Sequence, residues 1–202
     1  TPIEYVQHHQ SHAAAGYYTS PYDEACIVVI DAIGEFETCT IWYANGSNFE
    51  KRLSIKYPNS LGLWYSAMTQ RLGLKPQEDE YILMGMAAYG NPVYKTKMET
   101  HLFDYPIDDM HKCLHTVDMS KGLPKSFMSE EALQDEQVQF DLAASAQAVV
   151  EERIMQYCRL AFKYSGSQNL VYQGGVALNC VSNGLILKQK EVEGVGGGGG
   201  GG

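Results

Sequence analysis

The stretch EACIVVIDAIGE, residues 24–35, decides the fold of this 202-residue chain. Residues 25–31 form a short run rich in β-branched side chains, which is typical of a buried strand. Asp31, Gly34 and Glu35 then mark a segment that predicts a tight turn. The stretch therefore predicts a buried strand that ends in a turn carrying two carboxylates.

Two further strands are predicted directly after this turn. Residues 37–43 alternate between polar and apolar side chains, and residues 49–55 return in the opposite direction. The dipeptide Asn45-Gly46 between them is a strong hairpin signal. We expect residues 25–55 to form a three-stranded antiparallel meander.

A histidine cluster precedes the first strand in the segment VQHHQSHAAAGYY, residues 6–18. The alanines favour a helix, on which positions four apart share one face with β-carbons about 5–6 Å apart. His8 and His12 could therefore hold one metal ion, while His9 is expected to point elsewhere. A solvated or capping cluster remains the alternative.

The turn after the first strand also has two interpretations. A carboxylate at the end of a buried strand, followed by a glycine turn, is how actin-like and hexokinase-like ATPases hold a metal and phosphate near backbone amides. Asp31 would then be a ligand, and Gly34 would let a phosphate oxygen approach. Alternatively, Asp31 only caps the turn by accepting hydrogen bonds from backbone N–H groups.

A second candidate site lies near the end of the chain. Residues 169–173 predict a short strand, which runs into Gly174-Gly175 and a helix over 176–188. Such a strand–glycine–helix arrangement lets a backbone approach a nucleotide closely, and Asn179 could donate an amide hydrogen bond there. Many strand-to-helix connections use glycine only for the turn.

The rest of the pattern is mainly helical. Helices are predicted over residues 60–72 and 80–90, and residues 140–164 have the apolar stripe of a long amphipathic helix. Residues 91–135 carry no motif that we can interpret.

The composition of the chain limits the kinds of partner, and the cellular compartment, that we expect for it. The net charge of -9 argues against a nucleic-acid surface, which needs a basic stripe. No apolar run is long enough to span a bilayer, and the five cysteines lack CxxC pairing, so we expect a cytoplasmic protein with no membrane partner. Both ends look cut, which predicts a piece of a longer protein.

Five motifs together are more specific than any one of them. They are HHQSHAAAGYYTSPYDEACIVVIDAIGE, SLGLWYSAMTQRLG, EDEYILMGMAAYG, DLAASAQAVVEE and NLVYQGGVALNCVSNG, in this order. Over residues 3–190 the chain resembles the O-carbamoyltransferase family of nodulation-factor and antibiotic biosynthesis.

The resemblance implies an α/β, actin-like ATPase (ribonuclease H-like) fold, with the meander and packed helices, present as a partial domain. It is similar to the domain of the universal tRNA threonylcarbamoyladenosine transferase. Residues 1–24 would end a first subdomain with the histidine helix, and residues 25–192 would form a second one. The glycine-rich residues 193–202 are expected to lie outside the fold.

The resemblance also implies a metal site formed by His8, His12 and Asp31. In the family the metal is iron, and this donor set also suits manganese or zinc. Magnesium is a further candidate. A further acidic ligand is expected beyond the segment GGVALN, so the site as written is incomplete.

The implied chemistry uses ATP and carbamoyl phosphate as substrates and passes through carbamoyl adenylate. The carbamoyl group then moves to a hydroxyl of a small acceptor such as a sugar. Gly174, Gly175 and Asn179 match the nucleotide-binding segment of the family. Gly34 and Glu35 match the place where the phosphate end of the nucleotide would lie. Glu35 and the metal ligand Asp31 are the candidate catalytic residues, and the family likeness allows a homodimer.

Three departures from the family pattern weaken the enzymatic interpretation. Ala32 replaces the first glycine of the family turn, where a β-carbon disfavours a positive φ. Ile82 stands where lysine is expected, and Ala88 where proline is common. A tRNA threonylcarbamoyl transferase-like protein and a non-catalytic nucleotide-binding fragment remain the alternatives.

Overall fold

A computed structural model describes residues 3–102, 123–188 and 194–196 of the chain. The chain divides into two compact units, one formed by residues 1–56 with 157–202 and the other by residues 57–156. The helices and strands are, in chain order, α1 His8–Thr19, β1 Glu24–Gly34, β2 Glu37–Asn45, β3 Asn48–Lys56, α2 Leu61–Arg71, α3 Glu80–Met86, α4 Lys95–Leu102, α5 Glu136–Ser165, β4 Asn169–Gln173, α6 Cys180–Ile186 and β5 Gly194–Gly196.

The first unit is built on a mixed sheet with the strand order β3-β2-β1-β4-β5. Strands β1, β2 and β3 pair antiparallel in sequence, which confirms the predicted meander. Strand β4 pairs parallel with β1, with Val29 opposite Gln173. Because parallel strands end at the same edge of a sheet, the residues after β1 and after β4 are brought together.

The turn after β1 begins later than the sequence suggested. The predicted tight turn over residues 31–35 is wrong in extent, because β1 continues to Gly34, which pairs with Glu37 after an irregularity in the ladder. The positive φ of 60° falls at Glu35 instead. Ala32 lies within the strand, where the backbone does not need a positive φ, so a β-carbon is compatible with the backbone at this position.

Helix α1 packs against this sheet. A buried cluster contains Ala13 and Tyr17 of α1 together with Ile27 and Val29 of β1 and Val171 of β4. Helix α1 and the meander share this apolar core. The predicted division into a first subdomain over residues 1–24 and a second over residues 25–192 stays a prediction.

Strand β5 lies in the glycine-rich part of the chain. It pairs parallel with β4, with Gly194 opposite Asn169. Glycine offers no side chain to pack, so backbone hydrogen bonding to β4 accounts for this short strand.

The second unit is helical in its described part. Helices α2 and α3 agree with the predicted helices, and α5 begins four residues before the predicted start at 140. The Tyr65 hydroxyl donates to Gln147 Oε1 over 2.8 Å, which ties α2 to α5. The segment 91–135 includes residues 103–122, which lie outside the described part. No described helix is both long and apolar enough to cross a membrane.

Gly16 lies where α1 touches β4, and this contact yields a prediction. A β-carbon on Gly16 would lie 2.6 Å from Gln173 Cγ and 2.7 Å from Val171 Cγ1. We expect Gly16→Ala to lower the free energy of unfolding by about 1–3 kcal/mol because the packed interface must move apart.

Urea unfolding of the purified protein checks this prediction. The matched control is Gly184→Ala in α6, where an added β-carbon meets nothing within 4 Å. That control should gain about 0.5–1 kcal/mol from helix propensity alone. Equal stability of the two variants would contradict the described packing of α1 on β4.

Candidate functional site

Asp31 lies at the carboxyl end of the parallel pair β1 and β4, next to the glycine turn after β4. Its side chain is only 12% exposed. The backbone N–H of Gly175 donates to Asp31 Oδ1. The carboxylate therefore accepts a hydrogen bond from the backbone segment that follows β4.

Gly174 is required for this close approach. Its φ is 97°, and a β-carbon there would lie 2.4 Å from the carbonyl oxygen of Ile30. Only glycine fits such a position without strain. The two glycines thus bring the backbone after β4 against the carboxylate of Asp31 in β1.

The first two turns of α1 supply two imidazoles to the other carboxylate oxygen. His8 Nε2 lies 3.3 Å and His12 Nε2 lies 3.4 Å from Asp31 Oδ2. The two Nε2 atoms lie 3.1 Å apart. The structure therefore brings together the three residues that the sequence predicted as metal ligands.

These three distances fit donors that share one cation. A metal with bonds of about 2.1 Å places neighbouring donors about 3.0 Å apart in octahedral and about 3.4 Å apart in tetrahedral geometry. Two imidazole nitrogens at 3.1 Å cannot both present lone pairs to each other without repulsion. A proton or a metal ion between them removes that repulsion, so the donor set fits a divalent cation.

His9 also lies close to the same carboxylate. As expected, it is not one of the three candidate donors. It is fully buried, with Nδ1 2.9 Å from Thr40 Oγ1 and Nε2 3.8 Å from Asp31 Oδ2. Burial lowers the pKa of His9 to about 4, so its ring is neutral near pH 7. The spacing of His9 with Ala13, Gly16 and Tyr17, all buried, was the signal that could have placed it on the inner face.

A polar network fixes the start of α1 on the sheet, and sequence reasoning did not find it. Lys51 Nζ donates to Glu37 Oε1 over 2.8 Å and to Gln7 Oε1 over 3.1 Å. Gln7 is the residue before the first helical residue, His8. Side chains of β2 and β3 thereby bind the N-terminal end of α1, the helix that carries the histidines.

Gly34 and Glu35 lie at the hairpin that follows Asp31. A β-carbon on Gly34 would lie 2.5 Å from His8 Cδ2 and 2.6 Å from His9 Cδ2, so this glycine makes room for the two rings. Glu35 is exposed at the hairpin tip. Neither observation tests the predicted contacts of these residues with phosphate.

Asn179 has a structural role in addition to any binding role. Its side-chain oxygen accepts a hydrogen bond from the Ser182 backbone N–H over 3.1 Å and caps α6. The helix predicted over 176–188 is divided, because a 3₁₀ turn over Gly175–Leu178 precedes α6. The predicted amide donor to a nucleotide stays a prediction.

The site and the sheet together define a class: an α/β domain with a candidate metal centre at the ends of two parallel strands. The chain belongs to the carbamoyltransferase N-terminus family, whose sequence profile matches residues 1–195. This membership confirms the family resemblance drawn from the five motifs.

Curated relatives cover nearly all of this chain. It is 34% identical to an uncharacterized protein of Synechocystis sp. over 96% of the chain and 33% of that protein. It is 28% identical to the nodulation protein NolNO of Sinorhizobium fredii, over 92% of the chain and 27% of that protein. The nodulation protein NolO of Bradyrhizobium diazoefficiens is 27% identical, over 90% of the chain and 33% of that protein. The chain thus spans about a third of the length of these relatives.

The position of Gly34 generates a prediction about the site. We expect Gly34→Ala to destabilise the protein by about 1–3 kcal/mol, because the buried ring of His9 has no free space into which it can move. The cost should shrink in a His9→Ala background, which removes two of the three closest contacts.

A double-mutant cycle measured by urea unfolding gives the coupling between residues 34 and 9. The opposite result is additivity, in which the substitution at Gly34 costs the same with and without the imidazole. Additivity would mean that the hairpin and α1 do not pack as described.

Proposed function

We propose that this chain is the N-terminal part of an ATP- and metal-dependent carbamoyltransferase that acts on a hydroxyl of a small molecule. The observation that carries the proposal is the convergence of His8, His12 and Asp31 beside the Gly174-Gly175 turn. Family membership and the similarity to two nodulation proteins support the same class of reaction.

His8, His12 and Asp31 would hold the divalent metal, for which iron is the first candidate and manganese, magnesium and zinc are the others. A cation bound by two neutral imidazoles and one carboxylate keeps a net positive charge, which favours phosphate oxygens. When bound, the metal supplies Lewis-acid stabilisation of the charge that develops on those oxygens. The Gly175 N–H and the buried position of Asp31 keep the carboxylate oriented toward the two histidines.

The glycine turn after β4 is the proposed nucleotide site, with Gly174, Gly175 and Asn179 nearest to it. Since Gly175 already contacts Asp31, a nucleotide bound along this turn would present its phosphates beside the three donors. Gly34 would border the phosphate end, and the exposed carboxylate of Glu35 is the candidate group to accept a proton from the acceptor hydroxyl.

The proposed reaction has two stages. Carbamoyl phosphate, water and ATP give carbamoyl adenylate, phosphate and pyrophosphate. The acceptor hydroxyl then attacks the carbamoyl carbon and AMP leaves. The sheet, in which a meander is joined by a parallel strand, supports the proposed actin-like ATPase fold for this part of the protein.

The test uses purified full-length protein with Fe²⁺, ATP and carbamoyl phosphate. We expect pyrophosphate release that requires carbamoyl phosphate, and we expect His12→Asn to reduce that rate by about a hundredfold or more, since the metal contributes several kcal/mol. Metal content, measured by elemental analysis, should fall in the same variant.

Gln10→Ala is the matched control, because Gln10 lies on the same helix but is exposed. It should retain both metal and activity. Pyrophosphate release that ignores carbamoyl phosphate would contradict the proposal, as would a tight, salt-sensitive complex with tRNA.

A further inference from the structure

We propose that His9 is a positioning residue that orients Asp31 toward the other two histidines, and that Thr40 fixes the tautomer of His9 for this purpose. The proposal rests on the proposed metal site but concerns residues outside its three ligands. It follows from the hydrogen bonds on β2, the burial of the His9 ring and the location of Asp31 Oδ2.

The hydrogen bonds begin on the indole of Trp42. Trp42 Nε1–H donates to Thr40 Oγ1 over 2.9 Å, and His9 Nδ1 lies 2.9 Å from the same oxygen. Thr40 and His9 are both fully buried. With the indole occupying one lone pair, the hydroxyl hydrogen of Thr40 needs an acceptor, and His9 Nδ1 provides it.

This arrangement places the His9 ring hydrogen on Nε2. The Nε2 atom has no hydrogen-bond partner among the described residues, and the carboxylate oxygen Oδ2 of Asp31 lies 3.8 Å away. The opposite tautomer would aim a lone pair at a carboxylate oxygen and would leave the Thr40 hydrogen without an acceptor. Electrostatics therefore favours the Nε2–H tautomer of His9.

The consequence for Asp31 is that each of its oxygens lies near an N–H group. Gly175 N–H donates to Oδ1, and the buried His9 Nε2 lies 3.8 Å from Oδ2. The remaining side of Oδ2 faces His8 and His12. Groups that orient a metal-binding carboxylate in this way change metal affinity about 10–100-fold when they are removed.

The experiment compares Thr40→Val with Thr40→Ser in the full-length protein. Co²⁺ affinity is measured by chelator competition, and the visible spectrum of the Co²⁺-loaded protein reports the geometry of the site. We expect Thr40→Val to bind Co²⁺ about 10–100-fold more weakly with an altered spectrum, and Thr40→Ser to behave like the unsubstituted protein.

Thr38→Val is the matched control on the same strand. Thr38 is also buried, and its hydroxyl donates to the carbonyl oxygen of Ile55 over 3.3 Å. It loses a hydroxyl from β2, as Thr40→Val does, so any general effect on stability appears in both variants. We expect its Co²⁺ affinity and spectrum to stay unchanged.

Nitrogen NMR of the histidine rings tests the tautomer directly. In the Co²⁺-free protein, His9 should carry its hydrogen on Nε2, and in Thr40→Val this preference should be lost. An Nδ1–H tautomer in the unsubstituted protein overturns the proposal, and so does unchanged Co²⁺ affinity in Thr40→Val. If the unsubstituted protein binds no metal at all, the proposed function fails and this proposal fails with it.

Discussion

The structure of the site depends on one largely buried carboxylate. Asp31 lies near the end of β1, where the strand is buried on both faces and an isolated charge is costly. The Gly175 N–H and the imidazoles around Oδ2 offset that cost. The parallel pairing of β1 with β4 makes the arrangement possible, because it brings the glycine turn within reach of the carboxylate.

The two faces of helix α1 have different roles, one in packing and one at the candidate site. Its inner face, His9, Ala13, Gly16 and Tyr17, packs on the sheet, and small residues there allow a close approach. Its other face directs His8 and His12 at Asp31. A helix displaced outward by a larger residue at position 16 would carry both imidazoles away from the carboxylate, so packing on β4 and geometry at the site are coupled.

The sequence predicted the parts of this architecture that local pattern determines. The apolar run before Asp31, the alternation after it and Asn45-Gly46 each specify a strand or hairpin from neighbouring residues alone, and the meander is confirmed. The candidate ligand set followed from helical spacing and from family resemblance, and the structure brings its three side chains together. The extension of β1 to Gly34 was not predicted, because tertiary pairing with Glu37 outweighed the turn signal.

The role of His9 could not be predicted from spacing along one helix, because its partners come from elsewhere. Thr40 and Trp42 belong to a strand about thirty positions later, and only the folded sheet places their side chains against α1. The same holds for Gly175, which follows β4 and contacts Asp31 across 144 positions of sequence. Motifs identify donor types, whereas the sheet determines which lone pairs and hydrogens face one another. In a metal site, the orientation of these lone pairs and hydrogens determines whether a carboxylate can bind a cation together with two histidines or only lies near them.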